Sequence, residues 1–171
     1  AKPAVRSIME SVVSLLAGIP SVVYGFFAMV VIVPFVRTTF GGSGNSMLTA
    51  SILLGLMILP TIISVSEAAI RAVSSTYYEG ALALGAGKFH MVRTVVLPSA
   101  IDGIVTGSIL AVGRVVGESA ALLFTAGFGM ALNPFKKALE TSSATLTVAL
   151  YVYASEQGEF DVAFAIAAIL M

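Results

Sequence analysis

The sequence has no cysteine and only one histidine, His90. Without cysteine there is no disulfide framework and no thiolate metal site. A lone histidine excludes zinc sites built on two or three. Neither an HExxH zinc pair nor a GxSxG nucleophile elbow is present, so no residue is assigned a catalytic role and no cofactor or metal is expected. Charge is scarce as well: 11% of the 171 residues are charged, against about 25% in a soluble domain. Nine Lys+Arg balance nine Asp+Glu. There is no basic stripe, which argues against a nucleic-acid partner. Polar surface is also missing. With 58% hydrophobic residues and a mean hydropathy of +1.02, the chain is neither disordered nor able to cover a soluble core. It reads as an all-α integral membrane protein.

What the sequence does contain is long uncharged runs. Residues 1–18 form a short amphipathic segment, with Val5, Ile8, Val12, Leu15 and Leu16 set against Lys2, Arg6 and Glu10. Such a helix lies at a membrane surface. The first crossing is placed at 19–36, about 27 Å as a helix, with Pro20 in its first turn. The run Gly41-Gly42-Ser43-Gly44-Asn45-Ser46 is a turn-rich connection. The second crossing is placed at 47–66, with Pro60 kinking it. Residues 67–97 hold Glu67, Arg71, Glu79, Lys88, His90 and Arg93 and must sit outside the hydrocarbon. Within them Thr76–Gly85 reads as one short helix, with Tyr77 and Tyr78 marking the membrane–water boundary.

The third crossing is placed at 98–120. It starts at Pro98, and Asp102 in its early turns suits the helix dipole. The apolar run continues to about Leu132, too long for one simple span. A helix to about 120 followed by an irregular or re-entrant stretch through Gly127-Phe128-Gly129 is expected. Thr145–Ala154 is apolar but short, hence packed or interfacial. An incomplete fourth crossing occupies 160–171. The lack of an initial Met and the stop inside an apolar run point to a fragment of a longer protein. If 67–97 is cytoplasmic, that side carries Lys2, Arg6, Arg71, Lys88 and Arg93, and the other carries Arg37, Lys136 and Lys137. This mild bias has the usual sign.

Two features mislead. Gly80-Ala81-Leu82-Ala83-Leu84-Gly85-Ala86-Gly87-Lys88 looks like a P-loop, but Ala86 stands where the lysine belongs and no strand precedes it. His90, between Lys88 and Arg93, reads as a solvated loop residue.

The specific signal is Glu79-Gly80-Ala81, three residues, Gly85, nine residues, Val95, one residue, Leu97-Pro98. It resembles the "EAA" loop of ABC-importer permeases (Glu-Ala-Ala, three residues, Gly, nine residues, Ile, one residue, Leu-Pro). Gly80 replaces the first Ala and Val95 replaces Ile. Glu67-Ala68-Ala69 has the letters without the downstream spacing. Further stretches resemble phosphate-importer permeases, closer to the PstA type than to its PstC-type partner. These are Leu16–Phe27, Val95–Gly107, Gly113–Leu123 and Thr145–Val148, with Asp102 and Ala121 standing where prolines are usual.

The resemblance implies a polytopic transmembrane helical bundle of the MetI-like permease type in the cytoplasmic membrane. It implies a short helix that docks in a groove on a separate ABC ATP-binding subunit, carried by Glu79, Gly80, Ala81, Gly85, Val95, Leu97 and Pro98. Small residues there permit close approach, and Gly85 ends the helix. It implies a second homologous permease subunit, an extracytoplasmic phosphate-binding protein, and phosphate as the solute. Arg114 and Glu118, spaced i,i+4, share a face of any continuous helix and can pair. A guanidinium matches the oxygens of a phosphate. The resemblance associates both residues with the translocation path, and a structural salt pair is the competing reading. Gly103/Gly107/Ala111 and Gly113/Gly117/Ala121 are small-residue stripes for helix packing, or for a dimer interface. Permeation of another anion such as molybdate or sulfate, and a passive channel or structural subunit, remain open.

Overall fold

A computed structural model describes residues 3–131 and 133–171. Lys2, counted above among the basic residues of one side, and Leu132, the end of the third run, lie outside them. The described elements are helices: α1 (Pro3–Gly18), α2 (Ser21–Phe40), α3 (Met47–Arg71), α4 (Ser75–Ala83), α5 (Lys88–Val116), α6 (Ala120–Thr125), α7 (Phe135–Glu140), α8 (Leu146–Val152) and α9 (Phe160–Leu170). Helices α2, α3 and α5 have 20, 25 and 29 residues and are long and apolar enough to cross a membrane. Each carries an arginine in its last turn: Arg37, Arg71 and Arg114. There the free carbonyls favour a cation by about 0.3–1 kcal/mol.

The helix ends differ from the expected ones, most of all at the third crossing. Helix α5 starts at Lys88 rather than Pro98, and it stops at Val116 rather than near 120. The polar stretch 67–97 is correspondingly reduced. Glu67 and Arg71 form the end of α3, and His90 and Arg93 the beginning of α5. Asp102 therefore sits mid-helix, where the dipole argument does not apply.

A proline inside a helix lacks its N–H and collides with the carbonyl four residues back. Here the turn before Pro98, Val92–Val96, is widened to π geometry, and the Leu97 N–H reaches the Val92 carbonyl. Widening of this kind makes room for a proline ring. The Ser99 hydroxyl donates to the Val95 carbonyl at 2.7 Å. Helix α2 repeats the device, with a π turn at Ala28–Ile32 just before Pro34. Pro60 lies inside α3 without one.

The chain divides into two compact units, which α3 and α5 both enter. One holds residues 1–17 with Ile58–Gly113. In it, a Cβ at Gly103 would come within 2.6 Å of Ala69 Cβ, and one at Gly107 would collide with Val65. The stripe Gly103/Gly107 is thus a seat for α3 of the same chain. Lipid tails are as apolar as side chains, so such close packing, rather than hydrophobic burial, holds membrane helices together. In the same unit Arg6 and Glu10 of α1 meet Glu67 and Arg71 of α3. Arg6 Nε donates to Glu10 Oε1 at 2.8 Å, Arg71 Nε donates to Glu67 Oε1 at 3.0 Å, and Arg71 also donates to Glu10. Arg6 Nη2 lies 3.8 Å from Glu67 Oε1. The polar stripe of α1 is engaged while Val5, Ile8, Val12 and Leu15 stay exposed. That is the reverse of a soluble helix and is what lipid favours.

The other unit holds Gly18–Met57 with Arg114–Met171. Ala28, Ile32 and Val36 of α2 pack with Leu53 and Met57 of α3 and with Ala121 of α6. Ala50, Leu122, Ala126, Val148 and Val152 form a second cluster, so the short apolar segment α8 is packed. Gly25 permits this closeness, because a Cβ there would stand 3.0 Å from Ala121 Cα. The rings of Phe26 and Phe124 lie 4.7 Å apart.

Candidate functional site

The Glu79–Pro98 motif lies wholly in the first unit. Ser74 caps α4, its hydroxyl accepting from the Thr76 N–H at 3.3 Å. None of the residues of α4 is buried. Glu79 and Gly80 are exposed and Ala81 is half-buried. A Cβ at Gly80 would meet nothing within 4 Å. Tyr77 is exposed and Tyr78 half-buried.

Gly85 ends the helix in the left-handed region, φ +76°. Its N–H donates to the Leu82 carbonyl at 2.9 Å, and the Ala86 N–H donates to the Ala81 carbonyl at 3.0 Å. These two bonds form a Schellman termination, which a residue with a Cβ adopts only with strain. On the two sides of this turn, Leu84 and Phe89 are 90% and 79% exposed. A short helix, ended on a glycine and flanked by unburied apolar side chains, presents a surface that this chain does not itself cover. Val95, Leu97 and Pro98 lie further along, in and just after the π turn of α5. The rejected triplet Glu67-Ala68-Ala69 belongs to α3. There Glu67 is ion-paired and Ala69 faces Gly103.

Arg114 and Glu118 both fall in the second unit but do not pair. Gly117 breaks α5, so the two residues share no helix face. The Arg114 side chain is exposed and makes no ion pair or hydrogen bond with the described residues. Glu118 is held elsewhere. Its Oε1 accepts from the Ala121 N–H at 3.1 Å, capping α6, and its carbonyl accepts from the Thr147 hydroxyl at 2.7 Å. Gly117, just past a periodic apolar run, is a helix stop signal, and that breaks the stripe Gly113/Gly117/Ala121 too. Both the empty-path pairing and the structural salt pair are therefore overturned.

The expected irregular stretch is present. After α6 the chain runs irregularly through Gly127 (φ +75°) and Gly129. Loop 41–46 grips it: the Ser46 N–H donates to the Thr125 carbonyl at 3.0 Å, and Asn45 Nδ2 to that of Phe124 at 3.3 Å. The Ser143 N–H reaches the Ala126 carbonyl at 3.1 Å, and the Ala144 N–H that of Gly129 at 3.0 Å. A Cβ on Gly127 or Gly129 would collide with Ser142. Sequence reasoning left these partners unnamed, since each bond joins residues distant in the chain.

Comparison with known proteins agrees with this geometry. The profile of the family "binding-protein-dependent transport system inner membrane component" matches residues 1–171. The chain belongs to this family. The permease is 37% identical over 154 residues to the probable ABC transporter permease protein YqgH of Bacillus subtilis, covering 88% of this chain and 50% of that protein. It is 36% identical over 135 residues to the phosphate transport system permease protein PstC of Mesorhizobium japonicum, covering 67% and 41%. It is also 36% identical over 123 residues to PstA 2 of Mycobacterium bovis, covering 72% and 39%. The permease thus spans half or less of the length of these relatives, and both phosphate-type subunits resemble it equally. Its three membrane-length helices fit an inner membrane component.

Proposed function

We propose that the chain is the coupling and pathway portion of a permease subunit in an ATP-driven importer of inorganic phosphate. The observation that carries this reading is the exposed α4 with its Gly85 turn, whose residue spacing matches the ATPase-docking loop. Glu79, Gly80 and Ala81 form the docking surface. Val95, Leu97 and Pro98 lie inside α5, the next helix along the chain, so a push on α4 is passed into a membrane helix. ATP hydrolysis belongs to separate ABC ATP-binding subunits, and this chain supplies no covalent chemistry. A second homologous permease subunit and an extracytoplasmic phosphate-binding protein complete the assembly. Relatives named for phosphate transport support the solute.

Arg114 is the anion contact of this reading. It carries five N–H donors in a planar fork, and none is spent on the described residues. Glu118 shapes the path by capping α6 beside it in sequence rather than by neutralising Arg114. Transport by the reconstituted full-length complex, with phosphate, molybdate and sulfate offered separately, tests the solute. Preference for either rival anion discards phosphate. Arg114→Ala is expected to abolish uptake with assembly and melting temperature unchanged, because the side chain has no partner to lose among the described residues. Normal uptake by that variant removes Arg114 from the path. Transport that persists without the ATP-binding subunits would point instead to a passive channel.

A further inference from the structure

One unexplained feature is an open cavity of about 540 Å³ between α1 and the final turns of α3, inside the first unit. Its wall is apolar: Met9 and Val13 from α1, and Ile62, Ile63 and Ile70 from α3. The ion-paired quartet Arg6, Glu10, Glu67 and Arg71 also lines it. The apolar residues Ile62 and Ile63 precede Arg71 by about two turns, roughly 12 Å along the helix. An apolar slot with charge at the end of a membrane-length helix has the layout of a lipid, tail and headgroup.

The quartet also specifies which headgroup. Its two cations and two anions cancel, so it attracts no net charge. Its bonding capacity is nevertheless unspent. Every bond and ion pair within the quartet uses Oε1 of Glu10 or Glu67, and Oε2 of each accepts nothing from the described residues. Neither arginine uses Nη1. The four side chains are 39–54% exposed. Two guanidinium donors beside two carboxylate acceptors match a group that is both phosphate and ammonium. A quaternary amine has no N–H to give to Oε2, whereas a primary amine has three.

We propose that the α1–α3 groove binds one amine-bearing zwitterionic phospholipid of the phosphatidylethanolamine class. An acyl chain lies along Met9, Val13 and Ile63, and the headgroup bridges the arginines and the free carboxylate oxygens. The bound lipid fixes α1 to the end of α3 just before α4.

The test uses the full-length permease, delipidated and then titrated with dioleoyl phosphatidylethanolamine or dioleoyl phosphatidylcholine, with native mass spectrometry counting retained lipids. One phosphatidylethanolamine is expected to be held at least tenfold more tightly than phosphatidylcholine. Ile63→Trp fills the slot and leaves the quartet intact, and it should lose this lipid. Val13→Phe narrows the opposite wall and serves if Ile63→Trp fails to fold. The double change Glu10→Gln with Glu67→Gln should remove the preference between the two headgroups. Equal retention of both lipids by the unaltered protein marks ordinary annular lipid and overturns the proposal. So does retention unchanged by either slot-filling substitution, or a crosslink from Ile63 to another segment of the full-length chain.

Discussion

The exposed helix α4 and the irregular stretch Gly117–Thr147 are opposite in construction. Helix α4 has no buried residue, and its hydrogen bonds with the described residues stay within Ser74–Ala86. The irregular stretch has little regular structure beyond the short helices α6 and α7, yet Asn45 and Ser46 bond to it from outside, and Thr147 ties its far end back to Glu118. Irregular backbone needs partners for its polar groups, and here the described residues supply several of them. The first segment is shaped for contact with another molecule, the second for support by its own. Substitutions should therefore damage the second through folding and the first through function.

The largest effect is expected at Gly129. Gly129→Val drives a side chain into the Ser142 carbonyl, and a backbone collision has no cheap relief. A loss of about 3 kcal/mol or more should appear as aggregation or a much lowered melting temperature of the full-length protein in detergent. Gly80→Val, with open space around it, should melt as the unaltered protein does. Equal damage at both positions breaks the contrast between the two segments.

Gly85→Val comes next. Its left-handed φ costs a branched residue about 1–2 kcal/mol, confined to the α4 turn. The readout is the ratio of phosphate moved to ATP hydrolysed, which should collapse while the complex still assembles. Retained coupling would remove α4 from the docking role.

A smaller effect belongs to Thr147→Val, which leaves the Glu118 carbonyl without its 2.7 Å partner. About 1 kcal/mol is expected, read as a modest drop in unfolding midpoint. Arg114→Ala should show no such drop.

The smallest effect is on α1. The Arg6 hydrogen bond, with help from Arg71, holds the Glu10 carboxyl below the usual glutamate range. A group depressed in the folded state stabilises above its unfolded pKa, and that contribution disappears as pH falls through the folded value. Contact between α1 and α3 should thus be constant at neutral pH and loosen only in acid. Hydrogen exchange of residues 5–15 at pH 7 and pH 3 checks this, and Glu10→Gln should remove the difference.

Much of this was legible in the residues. Uncharged runs located three membrane-length helices, and the Glu79–Pro98 spacing located the exposed turn, because both are local patterns with steep physical penalties behind them. Gly85 was readable for the same reason. The start of α5 was not, because a proline normally opens a helix, and only the Val92–Val96 widening lets one continue through Pro98. Arg114 and Glu118 misled because i,i+4 spacing has meaning only on an unbroken helix, and Gly117 was read as a packing surface rather than a stop. The quartet joining α1 to α3 spans 61 residues between Glu10 and Arg71 and leaves no trace in any local window.

The wide turn at Val92–Val96 has a consequence for how force leaves α4. It holds one more residue per turn than the helix on either side, so it absorbs an extra residue between Lys88–Met91 and the long rod beyond. Deleting a single residue there would tighten it to ordinary pitch with the two parts still facing nearly as before, whereas deleting one from the helix on either side would turn them by about 100° against each other.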